Sequence, residues 1–203
     1  MEEGINTETE KIQKQEREYK IFLGKLVSGG IKFYLAGGVA VNVLMGQARS
    51  IVLHKDLDIL LPLGEKEKVE ALLSRKGYSF SEVSNNEEGS TFKILVNQGI
   101  LLVDIGFLEE DNGSFFVEVT SGGKISRIEV GKEWFSDSPK SFSGIPVETF
   151  SPSGLIRCMI AYPRPLREKD ITTMKSLRDR FFPGQSLENL KLGIFEKPND
   201  TQA

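Results

Sequence analysis

"LAGGVAVNVLMGQARSIVLHKDLDILLP", residues 35–62, carries the two features on which the fold is read. A short apolar run halts at Gly37-Gly38, and after a gap of 17 residues Asp56 and Asp58 stand one residue apart inside a second apolar run. Alternate residues of a strand share a face, so the two carboxylates project together while Leu57 and Ile59 point to the core. Like charges side by side near apolar surface raise each other's pKa and destabilise a fold unless something offsets them. A divalent cation does so: magnesium takes carboxylate oxygens together with substrate phosphates. Gly-Gly between a strand and a helix lets phosphate oxygens approach backbone N–H groups, although a plain tight turn uses the same pair equally well.

A third acid, Asp104, lies alone in "ILLVDIGF" (100–107). If that strand runs beside "LDILLP", all three carboxylates meet on one face. Asp104 then either completes a site for two metals about 3.5–4 Å apart or takes the proton from an attacking hydroxyl as general base.

Outward from this centre, residues 7–27 read as a helix capped by Asn6 or Thr7, with Ile12, Tyr19, Phe22, Leu23 and Leu26 as its apolar stripe. "IKFYLA" (31–36) reads as a strand, "VAVNVLMG" (39–46) as a short helix and "EKEKVEALLSRKG" (65–77) as an amphipathic helix stopped by Gly77. Strand-like runs follow at 78–83, 91–96, 100–107, 114–120, 124–130 and 145–150, separated by Asn-, Gly- and Ser-bearing turns. Two helices close the pattern, at 151–162 and 167–182. This order predicts an α/β (α+β) fold with a mixed β-sheet flanked by helices, as one domain over residues 1–182 and a C-terminal tail at 183–203.

Composition narrows the function classes. With 39% hydrophobic and 27% charged residues the chain has the make-up of a globular protein, and no run reaches the length of a membrane span. The acidic N-terminus has no apolar core of a signal peptide, and the single Cys158 excludes an internal disulfide, so a cytoplasmic location is expected. Cys158, in "LIRCMIAY", reads as a buried hydrophobe. One histidine and one cysteine leave no Cys/His zinc site, and a net charge of −3 argues against a large nucleic-acid interface. Oligomeric state leaves no signature.

The quoted stretch resembles the polymerase-β-like nucleotidyltransferase superfamily, whose signature is a Gly-Gly or Gly-Ser turn, a D-x-D strand and a later strand carboxylate. The run from Arg49 through "HKDLDI" is similar to the antibiotic-modifying members, and "PRPLREKDITTMKSL" (163–177) resembles another of their elements. Small lincosamide and aminoglycoside nucleotidyltransferases and the minimal nucleotidyltransferases of toxin–antitoxin systems share this look. The resemblance implies that Gly37 and Gly38 contact a triphosphate, that Asp56 and Asp58 hold Mg2+ (or Mn2+), and that Asp104 serves as ligand or base. Lys169 and Asp170 match the later element, where a helix-start salt bridge or cap explains them as well. Arg49, Lys55 and Lys93 are further cations able to neutralise phosphate, and His54 could orient a carboxylate. Trp134 could line an acceptor pocket. Two departures stand out: the Gly38–Asp56 gap is long, and the helix "GLIRCMIAY" offers Arg157 where the family pattern has a lysine.

The expected reaction moves a nucleoside monophosphate from an NTP to a hydroxyl acceptor, with release of pyrophosphate. The acceptor is a small molecule such as an antibiotic, a protein side chain or an RNA end. The alternatives are a non-catalytic nucleotide- or metal-binding module that works through a partner, and the toxin half of a toxin–antitoxin pair.

Overall fold

The computed structural model describes residues 3–46, 56–84, 91–121 and 124–195. Helix α1 spans Glu3–Ser28, four residues longer at its start than the apolar stripe indicated. Tyr19, Phe22, Leu23 and Leu26 recur at helical spacing and are all buried. The helix closes where Gly30 adopts φ +64° and Ile31 N–H donates back to the Leu26 carbonyl at 3.0 Å.

That return bond shortens the strand expected at 31–36. Only Tyr34–Leu35 pairs, as β1. Helix α2 (Gly37–Leu44) follows directly and ends at Gly46. β2 (Leu57–Pro62) alternates as expected, with Leu57, Ile59 and Leu61 buried and Asp58 and Leu60 on the other face. A single 3-10 turn (Leu63–Glu65) leads into α3 (Lys66–Arg75), which buries Val69, Leu72 and Leu73.

The next strands are β3 (Phe80–Ser84), β4 (Thr91–Gln98), β5 (Leu101–Asp111), β6 (Ser114–Ser121) and β7 (Lys124–Val130). After a 3-10 turn at Lys132–Trp134 come β8 (Lys140–Phe142) and β9 (Ile145–Thr149). β8 is absent from the sequence reading. Its three residues show no alternation, and the Ser143–Gly144 turn, with both residues at positive φ, folds it onto β9.

The mixed sheet runs β3-β4-β5-β2-β1-β9-β8, with β6 and β7 continuing from β5. β2 lies parallel to β5 and antiparallel to β1, and β1 lies parallel to β9. β5 is long enough to pair with three strands. Residues 101–106 pair with β4 and 103–108 with β2, whereas 108–111 pair with β6.

Helix α1 packs on β5 and β9, while α4 (Pro152–Ala161) packs on α2 and on α5 (Glu168–Phe181). Ser151 caps α4 by accepting from Gly154 N–H at 3.0 Å. The segment read as a tail contains a short helix, α6 (Leu187–Lys191), capped by Ser186. Its Leu190 is 0% exposed and joins the main core. A five-residue helix is too short to show helical periodicity in sequence.

Candidate active site

The β2–β5 register decides the geometry. Asp58 pairs directly with Asp104, so the two side chains leave the sheet on one face from adjacent parallel strands. Asp56 immediately precedes β2 and joins them. One carboxylate oxygen from each of the three lies within 4.8 Å of the others, an arrangement able to hold a metal ion.

Gly37 is fixed against the same carboxylates. Ala36 N–H donates to the Asp58 carbonyl at 3.0 Å, which ties the start of α2 to β2. Gly37 then takes φ +59°, and a Cβ there would run into the Asp58 carboxylate. Glycine is needed twice over, for its conformation and for its missing side chain. Ala36, the N-cap of α2, offers no side-chain acceptor, so the first N–H groups of the helix are not capped by it. Gly38 lies in the same first turn.

The charges of the site are strongly coupled. Burial, then Asp56 and Asp104, push the Asp58 carboxyl up to about 7, with Lys93 and Lys169 acting in the opposite direction. Lys93, on β4, forms an ion pair with Asp104. Lys169 is in the first turn of α5, exposed but close enough for its charge to act on Asp58.

The start of α5 is anchored by its neighbour Asp170, which is 5% exposed. Asp170 accepts from Arg164 Nη1 at 2.6 Å, from Arg167 Nη2 at 3.0 Å and from the Arg167 backbone N–H at 2.9 Å. Burial alone would raise its carboxyl, but the hydrogen bonds from Arg167 and Arg164 prevail and hold it well below the usual range. Asp170 is therefore the structural clamp, and Lys169 is the residue carried towards the carboxylates. Arg164 lies outside the residues singled out in sequence, and its partner became visible only in the folded chain.

Arg49, His54 and Lys55 lie outside the described residues. Trp134 is 8% exposed and packs against Gly154 of α4, although it also backs a surface groove with Ser114, Glu129 and Lys132. Cys158 is partly buried, and desolvation pushes its thiol up to about 12, which fits an inert residue. In the sequence Tyr19 reads only as part of an apolar stripe. Its hydroxyl is buried without a hydrogen-bond partner, and burial followed by the charges of Asp56 and Asp58 shifts its ionisation above the usual phenol range.

This sheet, with its Gly-started helix and three converging carboxylates, defines a nucleotidyltransferase. The chain belongs to the aminoglycoside-2''-adenylyltransferase family, whose model matches residues 21–177. No curated protein sequence matches it. Among solved structures it is similar to the antibiotic-resistance factor ANT(2'')-Ia in solution, at 16% identity and TM-score 0.65, over 90% of each chain. It is similar to the crystal structure of ANT(2'')-Ia in complex with adenylyl-2''-tobramycin, at 16% identity and TM-score 0.64, over 89% of this chain and 97% of that one. The lincomycin-bound lincosamide antibiotic adenylyltransferase LnuA matches at 20% identity and TM-score 0.55, over 80% of this chain and 94% of that one. These likenesses show the shared fold. No helix among the described residues is long and apolar enough to cross a membrane.

Proposed function

We propose that the chain is a magnesium-dependent adenylyltransferase that moves AMP from ATP to a hydroxyl of a small antibiotic, of the aminoglycoside or lincosamide kind. The observation that carries this reading is the convergence of Asp56, Asp58 and Asp104 beside the first turn of α2. The family and the antibiotic complexes of similar structures support the acceptor class.

The donor set fits a hard cation, because three carboxylates offer oxygen ligands only. Asp56 and Asp58 would hold it, with Asp104 as further ligand or as base. Magnesium, when bound, supplies the positive charge that offsets the triad and the triphosphate. The N–H groups that open α2 at Gly37 and Gly38 face an anion favourably, and Lys169 adds positive charge from α5.

In the proposed step the acceptor oxygen attacks the α-phosphorus, and the bond from that phosphorus to the bridging oxygen breaks. Pyrophosphate leaves, and the hydroxyl proton passes to the Asp104 carboxylate. Lys93, paired with Asp104, holds that carboxylate in place from the adjacent strand. The work of the protein is then positioning and charge stabilisation.

The test is direct. Purified protein with Mg2+, ATP and a panel of aminoglycosides and lincosamides should release pyrophosphate and yield an acceptor heavier by one adenylyl group. Asp58→Asn and Asp104→Asn should each lower the rate by about 100-fold or more. ATP binding without an adenylated product anywhere in the panel would overturn the antibiotic assignment.

A further inference from the structure

The strand registers lay out one row of side chains across the catalytic face of the sheet. Asp58 on β2 pairs with Asp104 on β5, Asp104 with Leu95 on β4, and Leu95 with Ser81 on β3. Residues paired in this way project to the same face. At the other end of the row Gly37, in the first turn of α2, lies against the Asp58 carboxylate. The order is therefore helix N-terminus, Asp58, Asp104, Leu95, Ser81.

That order has a direction. In the transfer proposed above, the attacking and leaving oxygens lie roughly in line on either side of the phosphorus. The N–H groups that open α2 suit the departing pyrophosphate. The acceptor hydroxyl then enters from the opposite side, next to Asp104, and the body of the acceptor rests over β4 and β3.

The surface on that side is apolar and carries no negative charge. Leu95 is 37% exposed although it stands next to a carboxylate. A Cβ on Gly106, two residues beyond Asp104, would meet the side chains of Leu60 and Val117, so this flank of the site is apolar as well. Among the described residues of β3 and β4, those that share the face of Leu95 are Ser81, Val83, Lys93 and Asn97, with no carboxylate. Lys93 is paired with Asp104. A polycation would meet a lysine here without a further counter-charge, whereas an apolar arm would take Leu95 out of water.

We propose that Leu95 is a specificity-determining residue that seats an apolar arm of the acceptor, so that the site takes an acceptor with at most one positive charge in preference to a polycationic aminoglycoside. The inference rests on the adenylyl-transfer reading above and narrows its acceptor class.

Steady-state kinetics of the full-length protein with ATP test it, with lincomycin (a monoamine bearing an alkyl arm) or tobramycin (a polyamine) as acceptor. Wild-type kcat/KM for lincomycin should exceed that for tobramycin by about tenfold or more. Leu95→Ala should raise the KM for lincomycin by about tenfold while the KM for ATP stays within about twofold of wild type. Leu95→Glu should shift the preference towards tobramycin by about tenfold or more. Both variants should melt close to the wild type, because the altered side chain is already exposed. An unchanged KM for lincomycin in Leu95→Ala would overturn the inference and leave the proposed function standing, as would a wild type that prefers tobramycin. A rise in both KM values with a clear drop in melting would overturn it too, since Leu95 would then serve the fold. Wild-type transfer to neither acceptor would also overturn it, and failure across the wider antibiotic panel would overturn the proposed function with it.

Discussion

Asp58 is the residue on which the local physics turns. Its carboxyl is raised to about 7 by burial and by Asp56 and Asp104, so without a cation the native state holds a proton that the unfolded chain releases at lower pH. Its contribution to stability is fully present below the ordinary aspartate range and is lost as pH climbs towards 7. Metal-free protein should therefore melt at falling temperatures as pH rises from about 4 to 7. Asp58→Asn should flatten that profile and stabilise the protein at pH 8 by about 2 kcal/mol, roughly half of what the shift implies at about 1.4 kcal/mol per unit, because solvent partly reaches the site. Calorimetric melts across the pH range would check this. Gly37→Ala makes the complementary case: positive φ and the collision with Asp58 should cost about 1–3 kcal/mol and reduce Mn2+ affinity, both measurable by denaturant unfolding and titration. The aspartates were legible in sequence because charges in apolar runs stand out. Arg164 was not, since its pairing with Asp170 forms only once the chain turns into α5.

Among the elements, α5 divides two neighbouring residues between different surroundings. Lys169 and Asp170 are consecutive, but helical geometry turns them to different surroundings. Asp170 is locked by two arginines, and Lys169 is left free to act on the carboxylates. Asp170→Ala should destabilise the protein by about 2 kcal/mol, less than the 3–5 of a fully buried pair because both arginines keep some exposure to solvent. It should also raise the KM for ATP, which steady-state kinetics would show, whereas Lys169→Ala should raise that KM with little effect on melting. The strand periodicities of β2 and β5 and the helical stripes of α1 and α3 were readable from apolar spacing. β8 and α6 were not, because three and five residues are too few to establish a period, and their positions depend on a turn and a cap.

At the scale of the whole molecule, the sheet order could not be taken from the sequence. β1 is held between β2 and β9, and residue 35 finds its partner at 149. Only long-range packing decides such a pairing, whereas the α+β class followed from the order of elements. The same holds for the C-terminus, where Leu190 reaches the core from a segment that looked like a polar tail. Removing residues 184–203 should lower stability by about 2–4 kcal/mol, comparable to truncating a buried leucine. Thermal denaturation of the shortened chain beside the full-length protein checks this.

β5 has one more consequence. Its middle, Val103–Gly106, is gripped on both sides by β4 and β2, and its last residues pair with β6, which leads into the β6–β7 hairpin. The gripped half acts as a ratchet stop, since a slip of a single residue would turn Asp104 to the opposite face. The β5–β6 turn at Asn112–Gly113, beyond that half, can lengthen, shorten or change its side chains without shifting the register of Asp104. A chain built this way can vary its periphery over many generations while Asp104 keeps its place beside Asp58.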